Sequence, residues 1–204
     1  MGLLESNGVI EKTPAASWVI PAVIIALSML IMLGGSAAGE WLRYDRVWIG
    51  QGEVWRLVSG HVAHLGWSHL VLNSAGLLLV WFLVGGSQSI RDWMLIIAVA
   101  VTTIDIGFWL LRPELLWYVG MSGLLHGILA AGLVPRLRHI QPETAVLSAL
   151  LVAKIAWEQV GGPLPGSEST SGGPVVVAAH LYGAVGGVLG AVLVRIRVRL
   201  RAAI

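Results

Sequence analysis

Six apolar runs, each long enough to cross a lipid bilayer, constrain the fold of this chain more than any other feature. A spanning helix needs about 20 mostly apolar residues at about 1.5 Å of rise per residue. The runs cover roughly residues 18–35, 67–85, 93–111, 117–134, 144–160 and 174–194. Because a chain of 204 residues then has little length left for loops, we expect one all-α domain, a polytopic membrane protein folded as a bundle of six transmembrane helices.

The composition agrees with a lipid environment. Hydrophobic residues make up 56% of the chain and charged residues only 12%, a balance that a soluble domain of this size does not need. Glycine is frequent in spanning helices and tryptophan at their interfaces, and the chain has 26 glycines and 10 tryptophans. The absence of cysteine excludes a disulfide framework and any cysteine-ligated metal.

The basic residues indicate the orientation in the membrane. If the N-terminus is cytoplasmic, the inner segments hold Lys12, Arg91, Arg136, Arg138, Arg195, Arg197, Arg199 and Arg201, and the outer segments hold only Arg43, Arg46, Arg56 and Arg112. This excess agrees with the positive-inside rule and also explains the basic pI, so no nucleic-acid partner is expected. We therefore predict a single domain over residues 1–204. It comprises a cytoplasmic N-terminal segment (1–17), a six-helix core (18–194) and a basic cytoplasmic tail (195–204).

The first apolar run has a second interpretation, as a secretory signal peptide with "SAA" at residues 36–38 as its cleavage site. Glu5 and Glu11 precede the run, with Lys12 as the single basic residue. The run is also longer than the apolar core of a usual signal peptide. A retained first helix is the better interpretation.

Polar side chains from three different runs are predicted to lie at one depth in the membrane. The chain enters the second run from the outer side past His61 and His64, and the run itself carries His69 and Asn73. The fourth run carries Ser122 and the sixth His180, and His69 and Asn73 are expected in the same layer as these two. At about 1.5 Å per residue, Ser122 and His180 each lie about 8 Å below the outer interface. Polar groups inside a membrane are functional candidates by default, so this layer is the candidate site.

Small residues recur every four positions beside the two central candidates. They are Gly123, Gly127 and Ala131 in the fourth run, and Ala179, Gly183, Gly187 and Ala191 in the sixth. Such stripes let two helices pack closely, which would bring the short side chain of Ser122 within reach of His180. The alternative is that both stripes are ordinary packing surfaces without a functional role.

The chemistry of these residues favours nucleophilic catalysis. A serine hydroxyl becomes a useful nucleophile when a base within hydrogen-bond reach takes its proton, and histidine suits that role near neutral pH. The oxyanion of the tetrahedral intermediate needs donors, for which the Asn73 amide, the His69 imidazole and the backbone N–H of Ser122 are candidates. No acidic third member is expected at this depth, so we predict a Ser–His dyad.

The chain resembles the rhomboid intramembrane serine proteases in three segments, "WRLVSGHVAHLGWSHLVLN" (55–73), "GMSG" (120–123) and "AHLYGAVGG" (179–187). The resemblance implies a six-helix fold with Ser122 as nucleophile and His180 as base. It also implies that His69 and Asn73 flank the oxyanion, with Gly120 and His64 as supporting residues. His61 departs from the family spacing by one residue and is either part of the site or merely interfacial.

His126 points to a subfamily. Many rhomboids carry an aromatic residue four positions after the nucleophile, whereas "SGLLHG" places a histidine there and resembles the rhombosortases. So do the short chain and "KIAWEQ" (154–159) in the fifth run. By this resemblance, His126 packs on and supports the catalytic imidazole.

The rhombosortase resemblance also implies a class of substrate and a location. The substrates would be exported proteins anchored by a C-terminal Gly-Gly motif, an apolar helix and a basic cluster. Cleavage near the glycines would release them. The expected location is a bacterial inner membrane with the active site opening to the periplasm. The expected partners are lipid and membrane proteins with a transmembrane segment, with no cofactor and no metal.

The sequence is also compatible with other functions. One alternative is a general rhomboid protease that acts on other transmembrane substrates, and another is a rhomboid-like binding protein without catalysis. A transporter would also place ionisable groups in the membrane but usually shows internal repeats or broken helices. A metal-dependent intramembrane protease would need H-E-x-x-H, and "HVAH" lacks the glutamate.

Lys154 and Glu158 form a possible ion pair in the fifth run. They lie four residues apart, so they share one face of a helix and can pair, and an unpaired ammonium in the membrane would be costly. Asp105 in the third run is a second possible partner for Lys154. Either the pair is structural and fixes helix register, or Glu158 borders the active cavity and meets the substrate.

Overall fold

The structure, a computed structural model, describes residues 15–202. Most of the predicted N-terminal segment, residues 1–14, lies outside the described residues, as do residues 203–204. The long helices are α1 (Val19–Leu33), α5 (Trp67–Val84), α6 (Ile90–Leu111), α7 (Ser122–Leu133), α8 (Pro142–Gly161) and α10 (Val177–Ala202). The short elements are α2 (Gly35–Leu42), α3 (Arg46–Gly50), α4 (Arg56–Ser59), α9 (Ser167–Ser171), β1 (Tyr44–Asp45) and β2 (Trp117–Tyr118). Three 3₁₀ turns, Ala15–Trp18, Gly85–Ser87 and Val134–Arg138, extend α1, α5 and α7.

The all-α, polytopic architecture is confirmed. Within the described residues, five helices are long and apolar enough to cross a membrane, Ala15–Leu33, Trp67–Ser87, Ile90–Leu111, Pro142–Gly161 and Val177–Ala202. They coincide with five of the six predicted runs. The count of six crossing helices stays a prediction, because the fourth run folds differently.

The fourth run begins as a strand and becomes helical only at Ser122. Trp117 and Tyr118 form β2, which pairs antiparallel with β1 through Tyr44 and Asp45. Gly120 then takes a φ of +120°, a conformation that favours glycine and interrupts any continuous helix. The remaining helix α7 has 12 residues and is about 18 Å long, shorter than a hydrocarbon core of about 30 Å. The helix predicted from residue 117 therefore starts five residues later.

α7 and α10 pack with their backbones in close contact, as the small-residue stripes predict. A Cβ built on Gly123 would lie 2.8 Å from the carbonyl oxygen of Ala179, and one on Gly127 would lie 2.8 Å from that of Gly183. A Cβ on Gly183 would overlap the carbonyl group of Gly123. No side chain fits between the two helices at these positions, so the prediction of close packing is confirmed.

The segment between α1 and α5 contains β1, the partner of the strand β2 that precedes Ser122. Asp45 caps α3 by accepting a hydrogen bond from the Val47 N–H through its Oδ1, at 3.2 Å. The buried guanidinium of Arg56 donates to the carbonyl oxygen of Glu40 at 2.8 Å and to Glu53 Oε2 at 2.5 Å. These contacts hold the segment between α1 and α5 together, and β1 of this segment pairs with β2, which precedes α7.

The basic end of the chain is helical. The sequence predicts a tail beginning at residue 195, whereas α10 continues through Ala202. Arg197 in this extension forms an ion pair with Asp92 in the first turn of α6. The apolar part of α10 therefore leads into a charged helical end without a break.

Candidate active site

Ser122 and His180 meet at one end of the close α7–α10 contact. Ser122 is the first residue of α7, and His180 is the fourth residue of α10. The Ser122 Oγ and His180 Nε2 atoms lie 3.0 Å apart, which is hydrogen-bond distance. His180 is buried, with 4% of its surface exposed. The structure thus brings the two central candidates into direct contact.

A carboxylate lies on the other side of the imidazole. Glu158 Oε2 is 2.7 Å from His180 Nδ1, and the Lys154 ammonium donates a hydrogen bond to Glu158 Oε1 at 2.6 Å. The expectation that no acidic group joins the pair is therefore wrong. Glu158 lies near the C-terminal end of α8. Its spacing from Lys154 predicts the contact along α8 and not the contact across to His180 of α10.

His126 stacks on the central imidazole. The ring centroids of His126 and His180 are 4.2 Å apart and the planes differ by 16°. His126 Nδ1 lies 2.7 Å from the carbonyl oxygen of Ser122, so its N–H donates there and fixes the ring. The stacked ring covers one face of His180 and restricts its rotation.

His69 lies beside the loop that precedes the serine. A Cβ on Gly120 would lie 2.9 Å from His69 Nε2, so a side chain at position 120 would collide with the ring. His69 Nδ1 accepts a long hydrogen bond from the Leu65 N–H at 3.4 Å, an arrangement that puts the ring proton on Nε2, toward Gly120. Asn73 donates through Nδ2 to the carbonyl oxygen of His69 at 3.0 Å, one helical turn away.

His64 supports His69 from outside the spanning helix. The two rings meet edge to face with centroids 5.0 Å apart. The His64 Nδ1–H donates to the carbonyl oxygen of Val62 at 3.0 Å. Burial, reinforced by the neighbouring His69, lowers the pKa of His64 to about 4. His64 is therefore uncharged at neutral pH and acts by packing.

His61 is not interfacial. It is 1% exposed and its Nε2 lies 3.2 Å from Asp105 Oδ1, so Asp105 pairs with His61 and not with Lys154 as one alternative supposed. The His61 ring also packs edge-on against Tyr118, whose hydroxyl donates to the carbonyl oxygen of Gly120 at 2.5 Å. Tyr118, which no sequence motif indicates, thus connects this second polar pair to the loop before Ser122.

A cavity of about 230 Å³ opens beside the serine. Its lining includes Ser122, His180, His126, His69, Asn73 and Lys154. A water molecule takes up about 30 Å³ in the liquid, so several waters fit in this cavity beside its polar groups. The cavity therefore offers both a place for a substrate segment and a supply of water.

Three of these groups resemble a metal-binding cluster, but their geometry does not suit one. His126, Glu158 and His180 each place a ligand atom within 4.8 Å of the others. The two imidazoles are stacked and nearly parallel, so their in-plane lone pairs lie in two separate planes and do not converge on one ion. The arrangement suits proton transfer along His180 better than metal binding.

Comparison with known proteins agrees with this architecture. The family model described as the Rhomboid domain matches residues 51–197, nearly three quarters of the chain. The matched region contains every polar residue of the site described above. A search of curated proteins gives no significant match. From the length of the family match, the chain belongs to the rhomboid family, a family of intramembrane serine proteases.

Proposed function

We propose that this protein is an intramembrane serine endopeptidase in which Ser122 is the nucleophile and His180 the general base. The observation that carries the proposal is the 3.0 Å contact between Ser122 Oγ and His180 Nε2 inside an apolar bundle. A buried hydroxyl and imidazole are costly in such surroundings, and polar groups found there are functional candidates by default. The adjoining cavity supplies room for a peptide bond and for water.

The reaction follows from these positions. As Ser122 Oγ attacks the carbonyl carbon of the scissile bond, its proton passes to His180 Nε2 and the carbonyl π electrons move to oxygen. The imidazolium then protonates the leaving amine as the carbon–nitrogen bond breaks, leaving an ester on Ser122. Water, deprotonated by the same imidazole, hydrolyses that ester and restores the free serine.

Donors for the oxyanion surround the start of α7. The first N–H groups of a helix have no partner within the helix, and the Ser122 N–H is one of them. His69, with its proton on Nε2 and its ring against Gly120, is the candidate side-chain donor. These groups lie in place before substrate arrives, which is the condition for effective stabilisation of a developing negative charge.

We expect His69→Ala to lower kcat by about 10²- to 10³-fold, the usual cost of removing one oxyanion donor. Cleavage of a transmembrane reporter under single-turnover conditions would measure the loss. His139→Ala is the matched control, because His139 is exposed and outside the cavity lining. Equal rates for both variants would remove His69 from the oxyanion site.

The substrates that the site favours are membrane proteins with a transmembrane segment. The proposal extends to anchors of the rhombosortase type, a Gly-Gly motif followed by an apolar helix and a basic cluster. The histidine stacked on His180, where many rhomboids carry another aromatic residue, supports that extension. The proposed location is a bacterial inner membrane, with both termini cytoplasmic and the cavity opening to the periplasm. The excess of basic residues on the inner segments supports this orientation.

Two reporters test the proposal. Purified wild type and Ser122→Ala are each incubated with a Gly-Gly, helix and basic-tail reporter and with a general rhomboid transmembrane segment. We expect wild type to cut the first reporter faster and Ser122→Ala to cut neither. Equal cutting of both reporters by wild type would reject the rhombosortase assignment and leave the protease assignment intact. Cutting by Ser122→Ala would reject Ser122 as nucleophile, and no cutting by wild type would favour a rhomboid-like binding protein.

A further inference from the structure

We propose that Glu158 is a positioning residue for His180, and that it converts the Ser–His pair into a Ser–His–Glu group held together by Lys154. This inference rests on the proposed function, since it assigns Glu158 an effect on the base in that reaction. One oxygen of the Glu158 carboxylate contacts Lys154, and the other contacts His180.

The contact with Glu158 selects the tautomer that catalysis requires. A neutral imidazole carries one proton, on either Nδ1 or Nε2. The 2.7 Å separation between Glu158 Oε2 and His180 Nδ1 requires a proton between the two atoms, and an ionised carboxylate can only accept. The proton is therefore on Nδ1, which leaves Nε2 free to accept the proton of Ser122.

Lys154 keeps the carboxylate in its accepting state. Its ammonium lies 2.6 Å from Glu158 Oε1, and a hydrogen bond from a cation favours the ionised carboxylate. Lys154 Nζ is also 3.4 Å from His180 Nδ1. With the Nδ1 proton directed to Glu158, that nitrogen has no lone pair to offer, so Lys154 acts on Glu158 and not on the imidazole.

A purely structural ion pair does not account for these contacts. The Lys154–Glu158 bridge is complete within α8, as an i, i+4 pair, and needs no third group. The side chain of Glu158 is nonetheless 2% exposed, and that of His180 5%, so the carboxylate is enclosed together with the imidazole. Of the five helices in the described residues that could cross a membrane, α8 is the least buried, because only 11% of its apolar 18-residue stretch is buried inside the protein. A deeply buried carboxylate is unexpected on such a helix unless it serves its partner.

The second carboxylate–imidazole pair in the bundle provides a comparison. Asp105 and His61 are also buried and in contact, but the remaining ring nitrogen of His61, Nδ1, has no hydrogen-bond partner among the described residues. That pair has no contact with Ser122. Asp105→Asn therefore serves as a comparison for the loss of a buried carboxylate that does not contact His180.

The test uses the labelling rate of Ser122 by a fluorophosphonate probe, which needs no substrate. Wild type, Glu158→Gln, Glu158→Asp and Asp105→Asn are purified in the same detergent and labelled between pH 5 and 9. Thermal stability is recorded in parallel. Glutamine preserves the shape of Glu158 but can donate to Nδ1, which favours the wrong tautomer.

We expect Glu158→Gln to label about 10²- to 10⁴-fold more slowly, as for loss of an orienting carboxylate in other serine hydrolases. The acidic limb of its rate profile should move to lower pH, because the imidazolium then faces Lys154 from α8 and His126 from α7 without a compensating anion. Glu158→Asp should recover part of the rate. Asp105→Asn should lose stability and keep the wild-type pH profile.

Two results would overturn the proposal while leaving the protease assignment in place. One is a Glu158→Gln variant with the wild-type rate and pH profile. The other is a loss of labelling in Glu158→Gln and Asp105→Asn that follows thermal stability in both, with no change in either profile. Failure of wild type to label at all would instead reject the proposed function, and the role of Glu158 with it.

Discussion

Ser122→Ala and His180→Ala should each lower kcat by about 10⁴- to 10⁶-fold, and the double variant should lose no more than either single variant. The two side chains act as one unit through their 3.0 Å contact, and removing one part of such a unit costs about as much as removing all of it. Reporter cleavage by purified protein under single-turnover conditions would measure this non-additivity. The residual rate would report what the oxyanion donors and substrate binding contribute alone.

Matched controls separate this effect from loss of folding. Ser28→Ala removes a buried serine of α1 whose hydroxyl has no hydrogen-bond partner among residues 15–202, and His139→Ala removes an exposed histidine. Both should retain the wild-type rate. A double variant that loses the product of the two single effects would show that Ser122 and His180 act independently, which contradicts the proposed mechanism.

Gly183→Val is expected to abolish Ser122 labelling by forcing α7 and α10 apart. The first carbon of any side chain at position 183 would overlap the carbonyl group of Gly123, and backbone cannot move aside as a flexible side chain can. Overpacking of this kind costs about 1–3 kcal/mol or more. Separation of the helices would also lengthen the contact between Ser122 Oγ and His180 Nε2 beyond hydrogen-bond reach.

Gly39→Val is the matched control, because a Cβ at Gly39 of α2 meets nothing within 4 Å. We expect it to leave the labelling rate near that of wild type, with a small change in thermal stability. Labelling and thermal unfolding of both variants, measured in one detergent, give the comparison. Wild-type labelling by Gly183→Val would mean that the catalytic contact does not depend on the close approach of the two backbones.

The residues that form the central contact could be found from the sequence, because both signals are local. Ser122 and His180 stand out as polar residues at similar distances from the first residues of their apolar runs. The glycine stripes beside them indicate helices that can approach closely. The depth of each residue follows from the rise of its helix, and the face on which it lies follows from the helical period. These two local quantities predict the contact between Ser122 and His180, which are 58 positions apart.

The partners of the other polar residues depend on how each helix is rotated. The contact between Lys154 and Glu158 follows from their spacing, since it lies within one helix. Asp105, an alternative partner for Lys154 by sequence, faces His61 in the structure. The spacing of Glu158 does not predict its contact with His180. These contacts join side chains across helices, and helical rotation is set by packing over the whole bundle and not by any one segment.

The sequence by itself determined the environment and the helical nature of this protein, because apolar length and charge asymmetry act locally and additively on membrane insertion. It also identified the family, through short motifs in a fixed order. Only the tertiary structure decided where the fourth helix begins, since β2 is held extended by β1, more than 70 residues earlier in the chain. Only the tertiary structure brings the Glu158 carboxylate against His180, because the two nitrogens of that imidazole face different helices. One of those contacts is made to α7 and the other to α8, and their simultaneous geometry arises only when the bundle is assembled.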